Sequence, residues 1–212
     1  MVRLGLLASG RGTNLQAILD ACRAQRLPAL PTVAIGNNAD SEALQRAARY
    51  GLPVCHLSGR THPAPVLLDA AIRDTLLRYR ADWVVLAGYL RPVGAKTIAA
   101  FRGRIVNIHP GPLPAYGGRG MYGIHVHRAV LAAGERRTAV SVHMVEAEYD
   151  SGAVVAERAL PVRPDDTAET LAARVLEAEH RFYVETLARI FAGRLAPPPR
   201  PPQAPAERAR CG

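Results

Sequence analysis

Lysine is almost missing from this chain: all but one of its 27 basic residues are arginine, the exception being Lys96. Such a skew reflects compositional bias as much as a binding surface, even with a net charge of +9. No dense basic run occurs in the body of the chain, and aromatic residues make up only 5%. Base-stacking platforms are therefore scarce, which argues against nucleic acid and leaves small anionic molecules as the partner class. Cysteine is sparse as well. Cys22, Cys55 and Cys211 are an odd, widely spaced set without a C-x-x-C pair. That excludes a zinc ribbon and a disulfide scaffold and fits a reducing, cytoplasmic setting. Long hydrophobic runs are absent too: the apolar start from Met1 to Gly10 is short and gives way at once to Arg11 and Asn14, so neither a signal peptide nor a membrane span is expected. No internal repeat is visible.

What the chain does have is a regular alternation of short apolar runs with amphipathic stretches. Hydrophobic residues make up 49% of 212, enough for the core of one generous domain. Strands are predicted over residues 2–8, 32–36, 54–57, 83–87 and 104–108. Helices are predicted over 15–24, 41–50, 65–78 and 94–101, with Asn14 or Thr13 capping the first and Pro65 in the first turn of the third. After the loop at 110–123 the pattern changes. A helix over 125–133 is followed by β runs at 139–145 and 154–162, then by one long helix at 167–191 capped by Asp166 or Thr167. This order predicts an α/β fold: a doubly wound, Rossmann-like, mainly parallel sheet with helices on both faces and an antiparallel C-terminal extension. Residues 1–195 form the expected domain. Residues 196–212 begin Ala196-Pro-Pro-Pro-Arg-Pro-Pro and read as a polyproline-like, disordered tail with no core to join.

The most informative stretch is Arg104-Ile-Val-Asn-Ile-His-Pro-Gly-Pro-Leu-Pro114. Asn107 and His109 are two apart, so on a strand they face the same way, and they sit at a carboxyl end, where open α/β sheets place ligands. An amide donor beside an imidazole suits acyl transfer, which needs donors for a developing oxyanion and a group that handles a proton. The competing reading is a strand end whose polar residues satisfy turn backbone. Ser9-Gly-Arg-Gly-Thr-Asn14 leaves the first strand and opens the first helix, an arrangement that binds phosphate through backbone N–H groups. It is neither a Walker loop nor the dinucleotide fingerprint, because no Gly-Lys-Ser/Thr follows and position 15 is Leu. A plain tight turn is the alternative. Asp150, in Glu146-Ala-Glu-Tyr-Asp-Ser-Gly152, is the candidate partner for His109 and should raise its pKa; an ordinary β turn is the alternative. His143 reads as a core or supporting histidine. His125 and His127 lack Cys or Glu at ligand spacing, so no metal is expected.

Taken together, Asn107-Ile-His109-Pro-Gly-Pro-Leu-Pro114 and the later Tyr149-Asp150-Ser-Gly152 resemble the 10-formyltetrahydrofolate-dependent formyltransferases. Ala8-Ser-Gly-Arg-Gly-Thr-Asn-Leu-Gln-Ala17 and Glu177-Ala-Glu-His180 are similar to the glycinamide ribonucleotide branch. The resemblance covers roughly residues 2–195. It implies transfer of a formyl group from 10-formyltetrahydrofolate, used as co-substrate, to the amine of phosphoribosylglycinamide in purine synthesis, by a cytoplasmic monomer or homodimer. It also implies residue roles. Asn107, His109 and Asp150 correspond to the catalytic trio, and Gly12, Thr13 and Asn14 to the loop holding the phosphoribosyl group. Glu179 corresponds to an acidic contact to the ribonucleotide. Leu90, Arg91, Pro92 and Val93, with Asn107, correspond to the folate side.

Three departures from the family pattern stand out. Pro65 occupies a position where a basic folate contact is expected, leaving Arg60 nearby; Gly111 replaces a serine; and the loop Gly117-Gly-Arg-Gly-Met-Tyr-Gly123 is longer than in compact members. The chemistry needs no metal and no covalent nucleophile. Asn107 is expected to donate an N–H to the oxyanion, and His109, kept protonated by Asp150, to donate a second hydrogen bond. A formyltetrahydrofolate hydrolase uses a similar trio, but that branch usually carries a small domain in front, and here the first strand begins at residue 2. A formyltransferase acting on initiator methionyl-tRNA needs a further domain of about a hundred residues. The remaining alternative is a non-catalytic nucleotide-binding module.

Overall fold

Parallel β-α-β connection explains most of this architecture, because each apolar strand is followed by a helix that returns the chain to the same end of the sheet. The structure is a computed structural model that describes residues 1–195; the Pro-rich tail expected from residue 196 lies outside the described residues. In order the elements are β1 (Val2–Ala8), α1 (Thr13–Arg23), β2 (Ala29–Gly36), α2 (Glu42–Tyr50), β3 (Val54–His56), α3 (Pro65–Arg78), β4 (Trp83–Leu86), α4 (Ala95–Ala100), β5 (Ile105–His109), α5 (Ile124–Ala132), β6 (Arg137–Met144), β7 (Val154–Pro161) and α6 (Ala168–Phe191). They build a seven-stranded sheet in the order β3-β2-β1-β4-β5-β6-β7. The first five strands are parallel, and β6 and β7 are antiparallel additions. This is the expected doubly wound sheet with its antiparallel extension.

Strand alternation divides the core into two apolar layers. Leu4, Leu6 and Ala8 of β1 pack with Leu15 and Ile18 of α1 and with Leu171, Val175 and Phe182 of α6. Leu7 faces the other way, toward Ile72 and Leu76 of α3 and Phe101. A period of two along each strand places successive residues on opposite faces. At about 25 cal/mol per Å² of apolar surface removed from water, the fully buried Leu side chains are each worth roughly 2 kcal/mol. Tyr183 of α6 pins its helix to the sheet, donating its buried hydroxyl to the carbonyls of Leu86 and Val106, 3.0 Å from each.

Strand order reverses between β1 and β4, the switch point where such sheets open a crevice. The two strand ends are stitched there: Ser9 N–H donates to Gly88 O at 3.0 Å, and Leu90 N–H donates to Ser9 Oγ at 2.8 Å.

Two local expectations change. Strand β2 starts at Ala29, three residues ahead of the predicted Thr32, because Val2–Leu4 pairs with Ala29–Pro31; Pro28 and Pro31 had masked the strand character of that stretch. Helix α1 is capped by neither Asn14 nor Thr13. Its N-cap is Gly12, in the left-handed region at φ 69°, with no side-chain cap. The Gly10–Gly12 turn is held instead by α2, through Ala43 N–H to Gly10 O (3.0 Å) and Arg46 Nε–H to Arg11 O (2.8 Å). For α6, Thr167 is the cap, in a reciprocal box with Thr170, and Asp166 pairs with Arg174.

Gly12 is thus required twice over. Its φ is one that side chains avoid, and a Cβ there would lie 2.5 Å from Ala43 Cα, which is backbone and cannot yield cheaply. Gly12→Ala should therefore lower the unfolding free energy by about 2 kcal/mol or more, measured by urea denaturation. Unchanged stability would show that the turn is not fixed in this conformation.

Candidate active site

Residues of β5 reach the crevice because the strand ends there. Leu86 of β4 pairs with Asn107, and on the other side Asn107 faces His143 and His109 faces Ser141 across the antiparallel β5–β6 ladder. Asn107 and His109 project from one face, as their spacing predicts. The chain beyond β6 then turns back. Asp150 sits in this turn at φ 53°, a left-handed conformation that Asp tolerates better than most residues. The turn brings its carboxylate between two imidazoles: Oδ2 is 3.7 Å from His109 Nδ1, and Oδ1 is 3.4 Å from His143 Nε2. Gly118 N–H donates to Oδ2 at 3.0 Å, tying the turn to the 110–123 loop.

The proton positions on His109 follow from its partners. Nε2 lies 2.7 Å from the Tyr116 carbonyl oxygen, which can only accept, so Nε2 carries the proton. A neutral ring then presents a bare Nδ1 toward Asp150. Burial lowers the His109 pKa below its ordinary value; Asp150 and the Tyr116 carbonyl pull it upward but do not compensate. This corrects the expectation that Asp150 keeps His109 protonated. The carboxylate acts in the anticipated direction, but at 3.7 Å it makes no direct hydrogen bond, and the ring is 3% exposed. Asp150 behaves oppositely to a simple buried acid. Burial pushes its carboxyl up, yet the two imidazoles in their protonated forms, His143 by hydrogen bonding and His109 by its charge, together with the Gly118 N–H, hold it below the usual carboxylate range.

A cavity of about 620 Å³ opens over these groups. Asn107, His109, His143 and Asp150 form its floor, and Leu90, Arg91, Pro92 and Val93 line one wall. Arg11, Asn14, Ala172, Leu176 and Glu179 also line it. Glu179 is buried on α6 and accepts a hydrogen bond from Asn14 Nδ2 at 2.7 Å. Burial raises its pKa to about 7 against the opposing effect of Asn14. Asn14 Oδ1 is buried without a partner. Gly12 and Thr13 stand at the α1 start beside the cavity without lining it; their place on the wall is taken by Arg11 and Asn14.

The 110–123 loop, whose length and Pro/Gly content mark it as functional in the sequence, supplies Gly118–Gly123 to the cavity wall, and Ile124 and His127 of α5 line it too; His127 escaped the sequence reading as a lining residue. His127 is buried by α5 packing, its pKa depressed to about 4 by burial and by the neighbouring His109. Arg60, the basic residue near Pro65, lines a second pocket that shares Leu90, Arg91 and Tyr122 with the first. Among the described residues no group of three or more His, Cys, Asp or Glu is placed to hold a metal ion, and no helix is long and apolar enough to cross a membrane.

The chain is similar to several known proteins. Phosphoribosylglycinamide formyltransferase, chloroplastic, from Vigna unguiculata is 40% identical over 185 residues, 87% of this chain and 59% of that protein. The chain thus spans less than two thirds of the plant relative's length. It covers 90% of the phosphoribosylglycinamide formyltransferase of Haemophilus influenzae, at 35% identity over 92% of this chain. The crystal structure of glycinamide ribonucleotide transformylase 1 from Symbiobacterium toebii superposes with a TM-score of 0.87 at 39% identity, covering 93% of this chain and 94% of that one. Residues 2–187 match the family described as formyl transferase. With the family match running through residues 2–187 and the whole fold superposing on a solved relative, the chain belongs to the formyl transferase family.

Proposed function

We propose that this protein transfers the formyl group of 10-formyltetrahydrofolate to the amine of phosphoribosylglycinamide, a step of purine synthesis. One observation carries the reading: a single cavity gathers Asn107, His109 and Asp150 between the Asn14–Glu179 pair and the Leu90–Val93 segment. The helix start at α1 has no side-chain cap, so its first-turn N–H groups suit a phosphate. Asn14 Oδ1 and the Glu179 carboxylate offer acceptors to ribose hydroxyls. The apolar wall of Leu90, Pro92 and Val93 suits the flat ring of the folate.

The proton inventory gives each residue a step. As the amine nitrogen bonds to the formyl carbon, the carbonyl electron pair moves onto oxygen, and Asn107 donates an N–H to that oxyanion. The bare Nδ1 of His109 takes the proton released by the amine. The imidazolium so formed keeps its Nε2–H on Tyr116 O and is balanced by Asp150, and its new N–H serves as a second donor. Collapse of the intermediate breaks the bond to the folate nitrogen, which leaves with the proton returned by His109. An uncharged resting imidazole is what this sequence of steps needs, and burial supplies it. Activity is tested by following folate absorbance with phosphoribosylglycinamide present and absent. Turnover without acceptor would make the protein a hydrolase, and no turnover in either case would leave only a binding module.

Loss of one oxyanion donor costs about a hundred-fold or more in turnover. Asn107→Ala and His109→Ala should each show at least that loss in kcat with little change in ligand Kd; near-wild-type kcat in either variant overturns the assignment. Asp150→Asn removes the charge that draws the His109 pKa upward. The His109 titration followed by NMR should move further below 6.5, and kcat should fall at every pH; an unmoved titration would dissolve the proposed coupling.

Glu179 gives a stability prediction. Its folded pKa lies near 7 against 4.5 for the ordinary carboxyl, so the folded state binds the extra proton between those values. The contribution is fully present below 4.5 and is lost as pH rises through about 7, roughly 3 kcal/mol in all. Thermal unfolding of the free protein should show Glu179→Gln gaining on wild type between pH 5 and pH 8. A pH-independent difference would place the carboxylate in water.

A further inference from the structure

We infer that His143 is a positioning residue that fixes the Asn107 amide, and that it does so through its tautomer. The inference rests on the reading of Asn107 as the oxyanion donor. His143 Nδ1 lies 2.9 Å from the carbonyl oxygen of Met144. A carbonyl only accepts, so Nδ1 carries the proton. That contact is kept open by Gly152, where an added Cβ would fall 1.9 Å from Met144 O; any side chain at 152 would displace the carbonyl that selects the tautomer. With one proton placed on Nδ1, the neutral ring has a bare Nε2.

Two groups approach Nε2. Asn107 Nδ2 is 3.0 Å away, within good hydrogen-bond range, and Asp150 Oδ1 is 3.4 Å away, beyond it. The closer contact wins: the bare Nε2 accepts one N–H of the Asn107 amide, and Asp150 takes its donor from Gly118. An amide nitrogen carries two protons. Anchoring one of them stops the amide from turning over, so the second stays on the cavity side and the carbonyl end cannot take its place. An amide facing the oxyanion with its oxygen would repel it. The β5–β6 register supplies the rest, since Asn107 and His143 are directly opposed, and His143 is 2% exposed, beyond reach of competing water. The relay therefore runs from the Gly152 gap to the Met144 carbonyl, to the His143 tautomer, to the Asn107 amide. Groups that orient a ligand from behind at metal sites govern about ten- to a hundred-fold of function, and the same order is expected for this amide.

The test combines one spectroscopic and one kinetic readout. The ¹⁵N shifts of the His143 ring in the wild-type protein should show a protonated Nδ1 and an unprotonated Nε2. His143→Leu, which removes the acceptor, should lower kcat by at least about ten-fold with KM for both substrates nearly unchanged. His143→Gln, which offers an amide oxygen near the Nε2 position, should recover most of that loss. In the Asn107→Ala background, His143→Leu should cost little more, because the amide it positions is gone. A protonated Nε2 in the wild type, or multiplicative losses in the double variant, would overturn the inference. The NMR result decides the matter even if His143→Leu does not fold. Failure of the wild type to transfer formyl at all would strike the functional reading instead, leaving the tautomer assignment intact.

Discussion

The site depends on the register in which β6 runs back along β5. Asn107 opposes His143 and His109 opposes Ser141, and because side chains alternate along a strand, a slip of one residue would turn His143 into the opposite layer. The bonds around this pairing make such a slip costly. Ser141 Oγ donates to the Gly111 carbonyl at 2.8 Å, which holds the chain just past β5 against β6. His143 bonds both its own backbone neighbour and the Asn107 amide. The antiparallel addition is therefore the part of the sheet that sets the chemistry of its last parallel strand.

Two carboxyls around the cavity have their pKa values displaced in opposite directions. Glu179, on α6, has a single amide donor and is pushed up to about 7. Asp150 is also partly buried, yet two imidazoles and a backbone N–H pull its pKa down. Environments that separate the pKa values of like groups commonly mark different tasks. Here one carboxyl is held by Asn14 at the start of α1 and the other lies between two imidazoles. Leaving Asn14 Oδ1 buried and unpaired costs stability in the free protein, a cost that a hydroxyl-bearing ligand would relieve.

Glycine shapes the site at two points by different physics. Gly12 allows a left-handed turn hard against α2, so that α1 starts with open N–H groups and Asn14 is directed inward to Glu179. Gly152 leaves room for a carbonyl that selects a histidine tautomer. Both lie in segments that the sequence singled out, the first as a phosphate loop and the second as the turn carrying Asp150. Neither constraint could be read without knowing what packs against the gap.

Local sequence was enough to give the class of fold. The periodic apolar runs and Pro65 at a helix start depend on short-range sterics and on burial patterns that repeat along the chain. The pairing of Asn107 with His109 was legible for the same reason, since a period of two is a property of the strand itself. Other features were set only by distant packing: the cap of α1, which α2 decides; the cavity walls of the 118–124 loop and His127; and the bond from Asn14 to Glu179 across 165 residues. The charge state of His109 belongs with these. Sequence could name Asp150 as its partner, but the balance between a carboxylate at 3.7 Å and the loss of water around the ring is a matter of three-dimensional burial. Desolvation depends on everything that surrounds a group, and that is decided when the fold closes.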